Sequence, residues 1–194
     1  MLIGVLGFQG SFAEHLTALR KAQIDCCLVR QKEDLERVNG LIIPGGESTT
    51  LGHLLEMYDL MESLKTKIQE KKIAVWGTCA GMILLAKKIL NSKKGQAFIS
   101  VLDITVARNA YGRQIESFEE AVEIKCLGGK AFPCIFIRAP KIVEVTPQVE
   151  VLGKLSDGEI VAVRQNNLLA TSFHPELTKD TRFHEFFAKI TKGS

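Results

Sequence analysis

The segment Ile73-Ala74-Val75-Trp76 runs directly into Gly77-Thr78-Cys79-Ala80-Gly81-Met82. An apolar run without polar alternation predicts a strand covered on both faces, as in a parallel sheet flanked by helices. The residues after it fix how the chain leaves that strand. A strand that turns at once into a helix brings together the positions two before and two after the apex. Glycine at both, Gly77 and Gly81, removes side chains that would collide. The Cys79 thiol then stands at a helix start, where free N–H groups and the helix dipole favour thiolate. The Ala80 N–H points to the same region and can stabilise an oxyanion. Taken alone, Gly-x-Cys-x-Gly fits a small buried thiol beside a tight turn equally well.

The rest of the first half alternates in the same way. Residues 2–6, 26–29 and 41–43 read as strands. Residues 12–22 read as a helix with Phe12, Leu16 and Leu19 on its apolar face, 49–69 as helical with a break near Asp59, and 80–88 as the helix after Cys79. The second half changes style, with strands at 101–106, 121–125, 134–138, 142–145 and 149–152 and few helices between them. Strands at 159–164 and 168–173 flank Gln165-Asn166-Asn167, where asparagine suits a tight hairpin. A last helix over 180–192 aligns Phe183, Phe186, Phe187 and Ile190 in one core-facing stripe. The expected fold is α/β, a mixed, mostly parallel sheet flanked by helices, in one domain over 1–194.

Charge and cysteine usage narrow the function classes. Lys plus Arg is 25 and Asp plus Glu is 22, a net +3 that gives no ground for nucleic-acid or membrane-surface binding. The longest stretch free of charge, 73–86, has 14 residues, short of the roughly 18 that span a membrane. The apolar start lacks a basic leader and reads as a first strand, not a signal peptide. Five cysteines, an odd number with no CxxC pair, argue against a disulfide framework and a structural zinc. Reduced thiols and a cytoplasmic location follow. Cys26, Cys27, Cys126 and Cys134 lie in apolar runs and read as core. No metal and no cofactor are expected.

Two further segments follow predicted strands. Pro44-Gly45-Gly46-Glu47-Ser48-Thr49 leaves one strand through paired glycines, which let backbone N–H groups approach a ligand, and enters a helix capped by Ser48 or Thr49. The phosphate-binding ending Gly-Lys-Ser/Thr is missing. Ser172-Phe173-His174-Pro175-Glu176 supplies a base and, two residues on, a carboxylate to orient it. His15, His53 and His184 sit in helical stretches without such a companion and read as ordinary histidines. In an open α/β sheet, loops at the carboxyl ends of strands share one crevice. There the three segments combine nucleophile, oxyanion donors, base and orienter. The order Cys, His, Glu differs from the nucleophile, acid, His order of an α/β-hydrolase.

Together, Gly77-Thr78-Cys79-Ala80-Gly81, Pro44-Gly45-Gly46-Glu47-Ser48 and His174-Pro175-Glu176 resemble the class I, Cys-His-Glu glutamine amidotransferases, which have a flavodoxin-like fold. Gln9-Gly10, Glu14-His15, Arg108-Asn109-Ala110-Tyr111-Gly112-Arg113-Gln114 and Phe136-Ile137-Arg138-Ala139-Pro140 extend the likeness to the glutaminase subunits of pyridoxal 5'-phosphate synthase. That resemblance implies hydrolysis of L-glutamine to glutamate and ammonia, with ammonia passed to a separate synthase subunit. It implies a triad of Cys79, His174 and Glu176, and an oxyanion hole from the backbone of Gly46 and Ala80. It implies glutamine binding by Gly46, Glu47, Ser48, Arg108, Ile137 and Arg138. It also implies that the Gly45–Gly46 peptide reorients on docking. Read without the family, Arg108 and Arg138 are rim arginines able to grip a carboxylate, and Arg113 stays a surface residue. Two alternatives remain: a glutaminase subunit for another biosynthetic acceptor, or a thiol hydrolase of the same broad fold.

Overall fold

A computed structural model describes residues 1–92, 95–108 and 117–193. The first half is a parallel layer. Strands β1 (Ile3–Leu6), β2 (Cys26–Val29) and β3 (Gly40–Ile43) pair in the order β2-β1-β3. Helices α1 (Phe12–Lys21) and α2 (Lys32–Arg37) make the crossovers between them. Only Leu35 of α2 is buried, so this short charged helix shows no apolar periodicity in the sequence. The next helical stretch divides into α3 (Ser48–Met57) and α4 (Leu60–Gln69). The break falls at Asp59, whose φ of 54° is left-handed and which a helix interior cannot accommodate.

Strand β4 (Ala74–Thr78) is buried along its length and leads into α5 (Ala80–Leu85). The expected helix over 80–88 stops there. Ala86 turns extended, and residues Ala86–Leu90 form strand β5. Lys87 and Lys88 are exposed and Lys87 pairs with Asp103 on β6 (Leu102–Ala107), which runs parallel to β5. Edge pairing satisfies the backbone where continuing a helix would have led two lysines away from any core.

Strands β7 (Ser117–Val122) and β8 (Phe132–Ile137) form a separate antiparallel hairpin. The strand expected at 121–125 thus lies several residues earlier. Its exposed residues are Ser117, Glu119 and Ala121, and its place is set by the partner, with Phe118 stacked on Phe136 at 4.4 Å. Strands β9 (Lys141–Val145), β10 (Glu150–Lys154), β11 (Ile160–Gln165) and β12 (Leu168–Thr171) complete the main sheet. Its order is β2-β1-β3-β4-β12-β11-β9-β6-β5, with β10 also on β11. A 3-10 turn, Pro175–Leu177, and α6 (Arg182–Lys192) end the chain.

Alternate residues of the central strands feed two apolar clusters. Ile3, Val5, Ile42 and Trp76 join the phenylalanines Phe173, Phe183 and Phe187. Leu6, Leu41, Ile43 and Val75 face Leu51, Leu55 and Leu64 of α3 and α4. A period of two in a sheet covered on both sides produces this division. The carboxyl ends of β1, β3, β4 and β12 are neighbours, and the three motif loops leave from them.

Candidate active site

Cys79 stands alone between β4 and α5 with a φ of 47°, a left-handed conformation that costs a non-glycine residue about 1–3 kcal/mol. Its N–H donates to the Thr171 carbonyl at 2.8 Å, tying the apex to the end of β12. Its Sγ lies 3.9 Å from the Ile137 carbonyl at the end of β8.

His174 comes three residues after β12. Its N–H donates to the Ile135 carbonyl at 2.8 Å, and Nδ1 is 2.7 Å from Glu176 Oε1. The ring lies against Gly45, where a Cβ would fall 2.3 Å from Cε1. Only glycine admits the base this close to the β3 loop. Burial works against a charged imidazole, but hydrogen bonds to Cys79 and Glu176 outweigh it and hold His174 above its ordinary value of 6.5. The same arrangement acts on Glu176 in reverse. Burial would raise it, while the charge of His174 and hydrogen bonds from His174 and Ser11 pull it below the ordinary carboxylate range. The Ser11 hydroxyl donates to Oε1 at 2.5 Å.

The sequence reading set His15 and His184 aside, yet both lie behind Glu176. His15 Nε2 is 3.4 Å from Glu176 Oε2, and His15 Nδ1 is 3.0 Å from His184 Nε2. Both rings are fully buried. The two histidines are 169 residues apart in the chain, and no local spacing announces them. Burial holds both below the ordinary 6.5, and His184 falls to about 3.

This has a consequence for stability. A base lowered by folding takes up a proton on unfolding once pH drops below its unfolded value. Both histidines therefore stabilise the fold above pH 6.5 and lose that contribution as pH falls. Glu176 adds to the loss below its unfolded value of 4.5. His174, shifted upward, keeps its full contribution below 6.5 and loses it only as pH rises. The melting temperature should fall between pH 6.5 and 4.5, and His184→Phe should flatten that fall. An equally steep profile in the variant would contradict this account.

The triad opens on a cavity of about 500 Å³, large enough for a small molecule. Gly46 and Ala80 both line it. The Gly45 carbonyl accepts from the Ser11 N–H at 3.3 Å, so a trans peptide turns the Gly46 N–H away from Ser11. The Ala80 N–H opens α5, a position without an intrahelical acceptor. Gln9 Oε1 and Ser48 Oγ are buried in the lining, without hydrogen-bond partners among the described residues.

Glu47, not Ser48 or Thr49, caps α3. Its carboxylate accepts from the N–H groups of Thr49 at 3.0 Å and Thr50 at 2.7 Å. Burial opposes the charge, but these bonds bring Glu47 down to about 2. Arg108 spans the rim, donating to Gln96 Oε1 at 2.8 Å and lying 3.3 Å from Glu47 Oε1. Ile137 and Arg138 close the far wall from the end of β8, where Arg138 has a φ of 44°. Residues 109–114, including Arg113, lie outside the described residues. Ser11 and Gln96 had no signal in the sequence, and Gln9 entered only through the Gln9-Gly10 pair of the family likeness, without a role.

Among the described residues, no three His, Cys, Asp or Glu side chains gather as a metal site. No described helix is long and apolar enough to cross a membrane.

Comparison with known proteins gives a consistent neighbourhood. Residues 5–192 match the SNO glutamine amidotransferase family. The chain is 52% identical over 192 residues to the pyridoxal 5'-phosphate synthase subunit PdxT of Thermosipho africanus, covering 99% of this chain and 100% of the relative. It is 50% identical over 194 residues to the protein of that name from Carboxydothermus hydrogenoformans, with both chains fully covered. A crystal structure of a glutamine amidotransferase superposes with a TM-score of 0.93 at 46% identity, covering 98% of each chain. A glutamine amidotransferase from Thermotoga maritima, 15% identical, has a TM-score of 0.61 over 99% of this chain and 84% of its own, and shares the fold.

Proposed function

This chain belongs to the SNO glutamine amidotransferase family, and on that basis we propose how its residues carry out the family's chemistry. It is the glutaminase subunit of a pyridoxal 5'-phosphate synthase, hydrolysing L-glutamine to glutamate and ammonia. Its partner is a separate synthase subunit, in a cytoplasmic hetero-complex that consumes the ammonia. The whole chain, 1–194, acts as one glutaminase domain.

Cys79 gives its thiol proton to His174 as its sulfur attacks the side-chain amide carbon of glutamine. Backbone N–H groups of Gly46 and Ala80 take the developing negative charge, each worth about 3–4 kcal/mol. His174 delivers a proton to the nitrogen as the C–N bond breaks, ammonia leaves, and a thioester remains. His174 then takes a proton from water, whose oxygen attacks the thioester to release glutamate and regenerate the thiol. Glu176 holds the imidazole in orientation. Arg108 and Arg138 grip the free carboxylate of glutamine, and Gly46, Glu47, Ser48 and Ile137 shape the pocket around its backbone end.

The observation that supports this most is that Cys79 and His174 line one cavity, with Glu176 Oε1 2.7 Å behind the imidazole and Arg108 and Arg138 in the same lining. The test is glutamate release from L-glutamine by this chain, with and without the synthase subunit. Release that rises with that subunit is expected. Release indifferent to it would reopen the acceptor. In the same assay Glu176→Gln should lose roughly a hundredfold less activity than loss of the nucleophile, the ratio found when an orienting acid is compared with a nucleophile. Equal losses would mean that Glu176 does more than orient.

A further inference from the structure

The geometry points to His15 as a positioning residue for Glu176, held in a single tautomer by His184. The inference rests on the reading of Glu176 as the group that orients His174. Glu176 Oε1 is occupied by Ser11 and His174. Oε2 is buried without a hydrogen-bond partner among the described residues, and His15 Nε2 lies 3.4 Å from it. Thr78 Oγ1 makes the hydrogen bond to the same nitrogen at 3.3 Å, so an N–H at Nε2 stands beside both the hydroxyl and the carboxylate, and its positive end faces Oε2 at ion-pair distance.

The unpartnered atom of His184 selects the tautomer. His184 Nδ1 is buried and makes no hydrogen bond among the described residues. If His15 carried its proton on Nδ1, it would donate to His184 Nε2. His184 would then have to place its own proton on Nδ1, facing nothing. An imidazolium at His15 forces the same result. A buried N–H without an acceptor is rarer and costlier than an idle lone pair. The arrangement without that defect has the His184 Nε2–H donating to His15 Nδ1, and the His15 Nε2–H directed at Glu176. Every proton along the line then points toward the carboxylate.

The surroundings agree. Trp76 packs edge-on against both rings, at 5.5 Å from His15 and 5.1 Å from His184. The charged and titratable groups acting on His15 are Glu176 and His174 from the loop after β12, His184 from α6, and Glu14 on its own helix. Burial dominates and keeps His15 neutral.

Histidine ¹⁵N NMR of the whole chain at pH 7 tests the tautomer directly. His15 and His184 are both expected as neutral Nε2–H forms, and a His15 that is Nδ1–H or charged overturns the inference. Kinetics with the synthase subunit test the role. His15→Leu should lower kcat at least about tenfold while leaving KM for glutamine within about twofold. His15→Gln, whose amide can donate from near the Nε2 position, should restore most of that kcat. Equal kcat in the two variants, or a loss confined to KM, overturns the role. Should His15→Leu not fold, His184→Leu keeps the donor but frees its tautomer. Its His15 signal should then shift toward a mixture, and an unchanged signal counts against the chain. The spectrum needs no turnover, so a complex that released no glutamate would overturn the functional reading and leave this test intact.

Discussion

Cys79→Ala is expected to lower glutamate release by about 10⁴-fold or more while the protein stays folded and still binds its synthase partner. The fold should tolerate the change because alanine keeps Cβ and the same left-handed φ of 47° that cysteine already adopts. The apex tie, Cys79 N–H to the Thr171 carbonyl, is a backbone bond and survives. What goes is one sulfur, whose contact with the Ile137 carbonyl is long, 3.9 Å. A stability change of under about 1 kcal/mol follows. The oxyanion donors and the cavity persist, yet without a nucleophile the thioester cannot form. A second signature accompanies the loss. The hydrogen bond to Cys79 helps hold His174 upward, so His174 should titrate lower in the variant. Glutamate release, a melting curve and a histidine titration measure all three. An alanine variant that turned over near the native rate would remove Cys79 from the chemistry.

The sequence was most readable where the chain obeys local rules. The β4 run, Gly77, Cys79 and Gly81 form a strand, an apex and a helix whose steric demands are all within a few residues. His174 and Glu176 are two residues apart, and the hydrogen bond between them follows from that spacing. Distant contacts left no such trace. Lys87 and Lys88 belong to a strand because β6 lies beside them to take the hydrogen bonds. β7 is exposed on alternate residues and is placed by β8, not by its own apolar content. Glu47 took the helix cap because its carboxylate reaches two N–H groups at once, which leaves the Ser48 hydroxyl facing the cavity. His15 and His184 were read as ordinary because a buried histidine pair depends on α1, α6 and the loop after β12 meeting. Helical periodicity reports that a face is buried and says nothing of what it meets.

Gly81→Ala should be a strongly damaging single-methyl change at this site, and its sign is the informative part. Inside a helix, glycine to alanine ordinarily stabilises by about 1 kcal/mol. Gly81 is a helical residue of α5, so propensity alone predicts a gain. Space predicts the opposite. A Cβ at Gly81 would fall 2.1 Å from the Ile43 carbonyl oxygen and 3.1 Å from the Ile43 side chain. That oxygen belongs to β3, which is fixed between β1 and β4, with Ile43 level with Gly77. It cannot retreat without breaking a central ladder, so α5 must lift instead. We expect destabilisation of about 3 kcal/mol or more, since overpacking against backbone exceeds the helix gain. In whatever fraction folds, the lifted helix carries Cys79 and the Ala80 N–H out of line with His174. A displacement of that size costs about a hundredfold in rate. Urea unfolding and glutamate release in the synthase complex separate the two effects. A variant as stable as the native chain would mean that α5 has room to move. The close approach of helix to β3 would then not be what sets the nucleophile's position.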